Sequence, residues 1–408
     1  MRILWLKTEL LHPVDKGGRI RTYQMLKRLK RDHEITYLTL VSSNDAMEAF
    51  ERASEYCHRL VSVPEGRAEK FTARFYLDLL RNVASPLPYA IERYRSARMR
   101  EAIASEMSER NADVVVCDFL APSVNFPDGE RIASVLFQHN VESTIWQRHY
   151  ETQANIIKRA FFRSQWQKML AYERAACSRF DAVIAVSEID RERMRDEFGL
   201  KEVYDVPTGV DTEFFQPMAS EPNPRELVFT GSMDWMPNED AILYFADKIL
   251  PIITRAIPEA MLTVVGRNPA ASLIELAKSN PQIKLTGRVE DIRPFVDRAA
   301  AYVVPLRVGG GTRLKIYEAM AMRKPVISTS VGAEGLPVRD GEELLIADEP
   351  DEFARAVIRV LSDAHLAKRL GEQARAAVCE RFGWERAASA FAEVCETVAA
   401  RRARRHAA

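Results

Sequence analysis

The sequence has few features of a secreted or membrane-embedded protein. Five cysteines are scattered over 408 residues, and no two of them form a Cys-x-x-Cys pair. This spacing argues against a disulfide framework or a zinc site and favours a reducing compartment. No segment approaches the roughly 20 consecutive apolar residues of a membrane span. Residues 1–7 are typical of a short strand and not of a signal peptide. We therefore expect a cytoplasmic protein.

The chain also has no excess of positive or negative charge, and it lacks several catalytic motifs. The chain has 58 basic and 58 acidic residues, so no overall field attracts nucleic acid, and we expect no nucleic-acid partner. It has no Asp-x-Asp triplet and no His-x-x-x-His pair, so we expect no metal and no cofactor. The nucleophile elbow Gly-x-Ser-x-Gly and the dinucleotide motif Gly-x-Gly-x-x-Gly are absent too, which disfavours hydrolase and nicotinamide chemistry.

A rhythm of short apolar strands and amphipathic helices runs through the whole chain. Such alternation predicts an α/β fold with parallel sheets covered on both faces, and 408 residues favour two domains. A segment rich in proline, with no sustained period, separates the two halves. We expect two doubly wound, Rossmann-like domains that face a cleft, and a last helix that crosses back to the first domain. The predicted parts are a first domain over 1–206, a linker over 207–224, a second domain over 225–382, and a C-terminal helix with a basic tail over 383–408.

The most informative segment is a glycine loop that leads into a short helix. Three glycines let backbone N–H groups approach an anion, and the helix directs its positive end to the same place. Arg313 and Lys315 lie in the first turn, where their charge opposes the helix dipole unless an anion is bound. Glu318 follows as an acceptor suited to a sugar hydroxyl. The pattern predicts a site for the diphosphate of a nucleotide sugar, with donor-binding residues Gly310, Gly311, Thr312, Arg313, Leu314, Lys315 and Glu318.

Further candidates follow other predicted strands, where ligands of open α/β sheets bind. Gly17 and Gly18 follow the first strand, and a plain turn into a helix is their structural alternative. His139 ends an apolar strand, where a cleft residue and a structural histidine are both reasonable. In the second half, the strand ends add Gly231, Ser232, Arg288, Val289 and Glu334 as donor-binding candidates.

The chain resembles the GT-B glycosyltransferases of glycosyltransferase family 4. The most specific segment is Lys315-Ile316-Tyr317-Glu318-Ala319-Met320-Ala321 followed by Lys324-Pro325-Val326. Supporting segments are Gly17-Gly18, His139-Asn140, Val186-Ser187-Glu188, Pro207-Thr208-Gly209-Val210-Asp211 and Gly231-Ser232. The resemblance implies a retaining, metal-independent transfer of sugar from a nucleotide-sugar donor. It also implies that Glu318 binds the ribose, that Gly17 and Gly18 form the acceptor-side loop, and that His139 lies near the transferred sugar.

The chain departs from the family pattern where cations are expected. The family usually has an arginine and a lysine after the glycine of the second domain's first strand, and here Ser232 and Pro237-Asn238 stand there. The earlier acid of the family's acid pair is replaced by Gly310, so Glu334 becomes the first candidate for sugar recognition. Our hypothesis is that Arg313 and Lys315 supply the missing charge. The residues expected to act in catalysis are then His139, Arg313 and Lys315.

The resemblance implies a hexosyltransferase-type enzyme of exopolysaccharide or envelope glycan synthesis, with a glycan or lipid-linked acceptor. A GT-B nucleotide-sugar epimerase and a non-catalytic nucleotide-sugar-binding protein stay open as alternatives. The basic, aromatic segment 148–179 fits either a peripheral contact with the inner membrane or an ordinary long helix. Donor base, sugar, acceptor and oligomeric state are not readable from the sequence.

Overall fold

The structure is a computed structural model that describes residues 1–64, 66, 72–109, 112–127, 132–153, 155–218, 220–308 and 314–407. Its strands are β1 Arg2–Lys7, β2 Glu34–Val41, β3 Arg59–Pro64, β4 Val114–Asp118, β5 Ala133–Phe137, β6 Ala182–Ala185, β7 Val203–Asp205, β8 Asn223–Thr230, β9 Met261–Val265, β10 Ile283–Leu285, β11 Ala299–Val304, β12 Val326–Ser328 and β13 Leu345–Ile346. Strands and helices alternate along most of the chain, as the sequence pattern predicts.

The α-helices are α1 Gly17–Leu29, α2 Met47–Glu51, α3 Ala73–Asn82, α4 Tyr89–Glu92, α5 Ala97–Glu109, α6 Glu142–Thr152, α7 Ile156–Cys177, α8 Glu188–Phe198, α9 Met236–Tyr244, α10 Leu250–Ala256, α11 Ala271–Ser279, α12 Arg293–Arg298, α13 Leu314–Ala321, α14 Pro350–Ser362, α15 Ala364–Arg381 and α16 Trp384–Ala407. Short 3-10 turns cover Arg52–Glu55 and Ala121–Asn125, and a π-helical turn over Phe245–Ile249 joins α9 to α10. The chain divides into two compact units, one of Met1–Pro207 with Trp384–Ala408 and one of Thr208–Gly383.

The first unit is built on a parallel sheet of seven described strands in the order β3-β2-β1-β4-β5-β6-β7. Its central strands are apolar on both faces, because helices cover both sides of the sheet. In the register of β1, Trp5 lies beside Tyr37 of β2 and Val116 of β4. Since β1 leads to β2 on one side and β4 begins the other side, the strand order reverses between β1 and β4.

The second unit is built on a parallel sheet of six described strands in the order β10-β9-β8-β11-β12-β13. Val228 of β8 lies beside Thr263 of β9 and Tyr302 of β11. The strand order reverses between β8 and β11. Residues 208–218 and 220–222, part of the predicted linker, belong to this unit. The Val210 amide donates to Phe382 O at 2.8 Å, and the Asp297 carboxylate accepts hydrogen bonds from the Met218 amide at 2.9 Å and from Ser220.

The last helix, α16, packs on the first unit, as the sequence predicts. Phe391 places its ring centroid 5.3 Å from that of Trp5 and 5.0 Å from that of Phe137. Near its end, Arg402 Nη1 lies 3.1 Å from Asp181 Oδ1. Two doubly wound parallel-sheet domains with a returning C-terminal helix confirm the predicted fold class. No helix in the described part of the chain combines the length and the apolar character needed to cross a bilayer.

Candidate functional site

Each unit has a candidate site of its own at the carboxyl edge of its sheet, where the strand order reverses. Ligands of doubly wound sheets bind at this point because the loops that follow the two central strands diverge there. In the first unit the loops after β1 and β4 border it, and in the second unit the loops after β8 and β11. Gly17 and Gly18 follow β1, and Gly231 and Ser232 follow β8. The predicted segments Gly17-Gly18 and Gly231-Ser232 therefore lie at the reversal points of their sheets.

The turn after β8 is packed so closely that it needs glycine. A Cβ added to Gly231 would lie 2.6 Å from Asn238 Nδ2 and 2.9 Å from Lys315 Nζ. On its other side, a Cβ on Gly266 would meet the carbonyl oxygen of Gly231 at 1.7 Å. The backbone of Gly231 is thus enclosed between the loop after β9 and two polar side chains.

Lys315 places its ammonium group at the end of β8. Its Nζ donates to Asn238 Oδ1 at 2.9 Å and lies 4.1 Å from the centroid of the Phe229 ring. The Nδ2 of Asn238 in turn donates to Ser232 O at 2.8 Å. The side chain of Lys315 reaches this point from the first turn of α13, on the far side of the reversal point. A cation therefore occupies the very turn where the resemblance expects cations from residues 232 and 238.

Glu318 lies one turn after Lys315, on the same side of α13. Its side chain is partly buried, and no hydrogen bond reaches its carboxylate from the part of the chain that the structure describes. Burial raises the pKa of Glu318 to about 7, and the charge of Lys315 partly offsets that rise. A partly buried carboxylate without hydrogen-bond donors is suited to accept hydroxyl groups from a ligand.

Arg267 is a second cation at this edge, and the sequence analysis missed it. It directly follows Gly266 at the end of β9, and its Nε donates to Ser232 Oγ at 3.2 Å. Ser232 Oγ donates to Asp234 Oδ1 at 2.6 Å, and Asn268 Nδ2 donates to Asp234 Oδ2 at 3.1 Å. These two hydrogen bonds lower the pKa of Asp234, with a smaller contribution from Arg267. A glycine followed by a cation after an apolar strand was the signal that could have found it.

The other predicted donor residues are spread along the carboxyl edge or lie outside the described residues. Those outside the described residues are Gly310, Gly311, Thr312 and Arg313. Leu314 begins α13. Exposed Arg288 and partly buried Val289 follow β10, two strands from β8. Neighbouring strands lie about 4.8 Å apart, so these residues start roughly 10 Å from the turn at Gly231. Glu334 follows β12, on the opposite side of β11.

In the first unit, His139 lies buried after β5, with 1% of its surface exposed. Its Nε2 is 2.7 Å from Asp118 Oδ1. The other oxygen, Asp118 Oδ2, accepts from Lys7 Nζ at 2.9 Å, Trp5 Nε1 at 2.9 Å and Thr22 Oγ1 at 2.6 Å. The strands β1, β4 and β5 thus contribute to one buried polar network, of which the sequence analysis had found only the histidine.

Burial decides the charge of His139 in this network, and the polar partners of Asp118 decide that of the carboxyl group. Burial lowers the pKa of His139 to about 3, and the opposing effect of Asp118 is smaller. Burial alone would raise the pKa of Asp118, but the charge of Lys7 and hydrogen bonds from His139 and Thr22 outweigh it and hold that pKa well below its ordinary value. At neutral pH the network therefore contains a carboxylate paired with an ammonium group, beside a neutral imidazole.

Phe119 connects the two predicted first-domain residues, Gly18 and His139. Its backbone is left-handed, with φ 73°, and its ring stacks on the imidazole of His139 with 3.7 Å between centroids. A Cβ on Gly18 would lie 2.8 Å from Phe119 Cζ, whereas one on Gly17 would meet nothing within 4 Å. Lys7 Nζ lies 4.3 Å from the centroid of the same ring. Because Phe119 is partly exposed and His139 is not, the phenyl ring covers the imidazole.

Metal ligation finds no support among the residues that the structure describes. No group of three or more histidine, cysteine, aspartate or glutamate side chains is placed there to hold an ion. The predicted absence of a metal stays a prediction.

In comparison with known proteins, each half of the chain matches a family of glycosyltransferases. Residues 16–214 match the family description "Glycosyltransferase Family 4", and residues 224–363 match "Glycosyl transferases group 1". A protein of Klebsiella pneumoniae described as an uncharacterized 44.6 kDa protein in the cps region is 22% identical over 372 residues, which cover 88% of this chain and 90% of that protein.

Solved structures share the fold over nearly the whole chain. Sucrose-phosphate synthase from Thermosynechococcus elongatus has a TM-score of 0.72 at 17% identity, and the match covers 98% of this chain and 99% of that one. The Anabaena protein Alr3699/HepE, solved with UDP and glucose, has a TM-score of 0.66 at 14% identity and covers 97% and 99%. Together with the two family matches, these likenesses confirm the resemblance found in the sequence: the chain belongs to the GT-B glycosyltransferases of family 4.

Proposed function

We propose that this glycosyltransferase moves a hexose from a nucleoside diphosphate sugar to a glycan or lipid-linked acceptor, with retention of the anomeric configuration and without a metal. One observation carries the proposal. The ammonium group of Lys315 lies at the carboxyl end of β8, and one helical turn on stands Glu318, whose carboxylate receives no hydrogen bond from the described residues. A cation beside a partly exposed carboxylate matches the diphosphate and the ribose hydroxyls of such a donor.

The chemistry requires positive charge where the diphosphate departs. The bond between the anomeric carbon and the phosphate oxygen breaks, and the acceptor oxygen bonds to that carbon on the same face. The acceptor's proton passes to the departing phosphate, so no enzyme nucleophile is needed. Lys315 would stabilise the charge that develops on the leaving oxygen, which is usually the largest single contribution to catalysis.

The contacts of Lys315 support the hypothesis that the family's cations have been relocated. Asn238 stands where the resemblance expects a lysine, and its side chain accepts a hydrogen bond from Lys315. Ser232 stands where an arginine is expected, and its hydroxyl accepts one from Arg267. Lys315 of α13 and Arg267 after β9 thus place positive charge beside residues 238 and 232. Arg313 lies outside the described residues, so its contribution to the positive charge stays a prediction.

His139 and Glu334 keep their predicted roles as proposals. Phe119 covers His139, so direct contact between the imidazole and a sugar requires displacement of that ring. The neutral state of His139 suits a hydrogen bond to a sugar hydroxyl and not proton transfer at neutral pH. Glu334, at the end of β12, is the proposed acceptor for hydroxyls of the transferred sugar.

The cellular setting is proposed from the same sources. The relative in the cps region of Klebsiella pneumoniae supports a role in exopolysaccharide or envelope glycan synthesis. The structural neighbour solved with UDP and glucose makes UDP sugars the first donors to test. We propose a cytoplasmic enzyme whose lipid-linked acceptor brings it to the inner membrane surface.

A panel of nucleotide sugars tests the proposed activity. A donor at a hundred times its Kd should stabilise the protein by about 2.7 kcal/mol, which a thermal-shift assay detects. With acceptor extracts, the donor that binds should release its nucleoside diphosphate and yield a glycoside whose anomeric configuration NMR assigns. Donor that isomerises without an acceptor would identify an epimerase. Binding without release in any acceptor extract would identify a non-catalytic binding protein.

A further inference from the structure

Helix α3 leaves three of its five large apolar side chains exposed and buries a polar one. Four large apolar residues of α3 and its C-cap face solvent, with Tyr76 52%, Leu77 46%, Leu80 70% and Val83 72% exposed. Asn82 is buried instead, where its Nδ2 donates to Leu87 O at 2.9 Å and its Oδ1 accepts from Gln165 Nε2 at 2.9 Å. A surface helix normally buries its apolar side chains, so this arrangement indicates that the exposed face contacts an apolar surface outside this chain.

The beginning of α7 has the same character and lies on the side of that helix that faces α3. Ile156 and Ile157 are 83% and 82% exposed. Lys168 of the same helix donates its Nζ to Asn82 O at 2.7 Å, which joins α7 to the end of α3. Ile157 precedes Lys168 by eleven residues, which is close to three full turns, so the two side chains project in nearly the same direction. The two apolar segments therefore belong to one side of the first unit.

The charge around these apolar side chains is positive. In α7 five basic residues accompany one acid, Glu173, which is fully buried. In α3, Arg74 and Arg81 accompany a single Asp78. The exposed cations of this surface are Arg74, Arg81, Lys158, Arg159 and Arg163. Apolar side chains bordered by cations are complementary to a bilayer whose headgroups are anionic.

We propose that α3 and the first turns of α7 form a docking surface for an anionic lipid bilayer. The exposed side chains of Tyr76, Leu77, Leu80 and Ile157 enter the boundary between headgroups and acyl chains, while the arginines and lysines pair with lipid phosphates. The docking surface belongs to the first unit, whereas the proposed donor site belongs to the second, and the two share no residue. Its existence is therefore independent of the proposed transfer reaction.

Vesicle flotation with the full-length chain tests the proposal. The vesicles contain either phosphatidylcholine alone or phosphatidylcholine with about one third phosphatidylglycerol, in low and in high salt. The protein should float with the anionic vesicles at low salt. It should float much less with neutral vesicles and be released from anionic ones by high salt, because screening weakens its contacts with the headgroups. A protein that floats with neither kind of vesicle would overturn the proposal.

Matched variants assign the binding to the docking surface. The double variant Leu77→Ser/Leu80→Ser should lower the vesicle-bound to free ratio at least about tenfold. Met47→Ser, which changes a 72% exposed methionine on α2, should leave it unchanged. The charge-reversal variant Lys158→Glu/Arg159→Glu tests α7 in the same assay. Its result remains informative even if the serine variant does not fold. Equal flotation of all variants would overturn the proposal. The proposal would also be overturned if size-exclusion chromatography showed a dimer of the unaltered protein and a monomer of the serine variant, because a second copy would then cover this surface.

Discussion

The ammonium group of Lys315 donates a hydrogen bond of 2.9 Å to the side-chain oxygen of Asn238, 77 positions earlier in the chain. This contact joins the first turn of α13 to the first turn of α9, across the point where the strand order of the second sheet reverses. Phe229 lies beneath the ammonium group, with its ring centroid 4.1 Å from Nζ. A positive charge is thereby held at the carboxyl end of β8 by residues from two helices and one strand.

The relocation hypothesis makes a prediction for Arg313 and Lys315 together. Arg313→Ala and Lys315→Ala should each raise the donor KM or lower kcat, because a charge-assisted contact to phosphate contributes about 1.5–3 kcal/mol. Each loss corresponds to roughly a ten- to hundredfold drop in kcat/KM. Initial rates of nucleoside diphosphate release measure the effect. If the double variant transfers sugar at the normal rate, the charge on the diphosphate is stabilised by other residues.

Arg267 should bind the same ligand from the other side of Gly231. Arg267→Ala should weaken the binding of a nucleoside diphosphate about ten- to hundredfold, because it removes a cation from the edge of the site. Ser232→Ala is the matched control, since it removes the hydrogen bond to Arg267 and leaves the charge in place. Isothermal titration calorimetry gives both affinities. If Arg267→Ala and the unaltered protein bind the nucleoside diphosphate with equal affinity, Arg267 does not contribute to the site.

The partly buried carboxyl of Glu318 should make stability depend on pH. Its pKa is raised to about 7 in the folded protein, so its stabilising effect is complete below about 4.5 and is lost as the pH rises to about 7. Glu318→Gln lacks this dependence. Relative to that variant, the unaltered protein should lose about 2–3 kcal/mol of unfolding free energy between pH 5 and pH 8.

Urea denaturation of both proteins at the two pH values gives this difference. Donor affinity should change in the opposite direction, because the ionised carboxylate accepts ribose hydroxyls better than the protonated form does. The unaltered protein should therefore bind the donor more tightly at pH 8 than at pH 6, and Glu318→Gln should bind it weakly at both. A difference in unfolding free energy that does not change with pH would show that Glu318 ionises as an ordinary surface carboxyl.

Phe119 should control the protonation of His139. Phe119→Ala uncovers the imidazole, so the pKa of His139 should rise from about 3 toward the ordinary value of 6.5. Phe119→Tyr keeps an aromatic ring in place and should leave the pKa low. Two-dimensional NMR of the histidine ring protons follows both titrations. If His139 of Phe119→Ala still titrates near pH 3, the burial that lowers its pKa comes from the surrounding core and not from the phenyl ring.

Much of the fold was predictable because its signals are local. Apolar strands alternate with amphipathic helices, and Ser187, a residue type that favours helix starts, caps α8 with its Oγ accepting from the Asp190 amide at 3.2 Å. Where local signals compete, the prediction was less accurate. The expected single helix over 148–179 is interrupted after Thr152, because Asn155 caps a new helix by accepting from the amides of Ile157 and Lys158. Between residues 238 and 255 the helical pattern is interrupted by a π-helical turn before Pro251, which has no N–H to donate.

The site was only partly predictable, because most of its contacts join distant residues. The sequence indicated Lys315 and Glu318 as a pair on one helix, yet nothing local indicated Asn238 as the partner of Lys315. Likewise, Lys7 and Asp118 are 111 positions apart, and only the pairing of β1 with β4 brings them within 2.9 Å. A polar residue at the end of an apolar strand is visible in the sequence, but its partner depends on the strand order.

The central claim is that Lys315 supplies the charge that the family's cations normally provide at this turn. Its most direct test exchanges the two residues of the opening contact and measures Kd for a nucleoside diphosphate by calorimetry. Lys315→Asn should weaken binding about ten- to hundredfold, and the exchanged variant Lys315→Asn/Asn238→Lys should restore most of the affinity, because the charge returns to the same place. Tight binding by Lys315→Asn alone, or weak binding by an exchanged variant with an unchanged Tm, would contradict the claim.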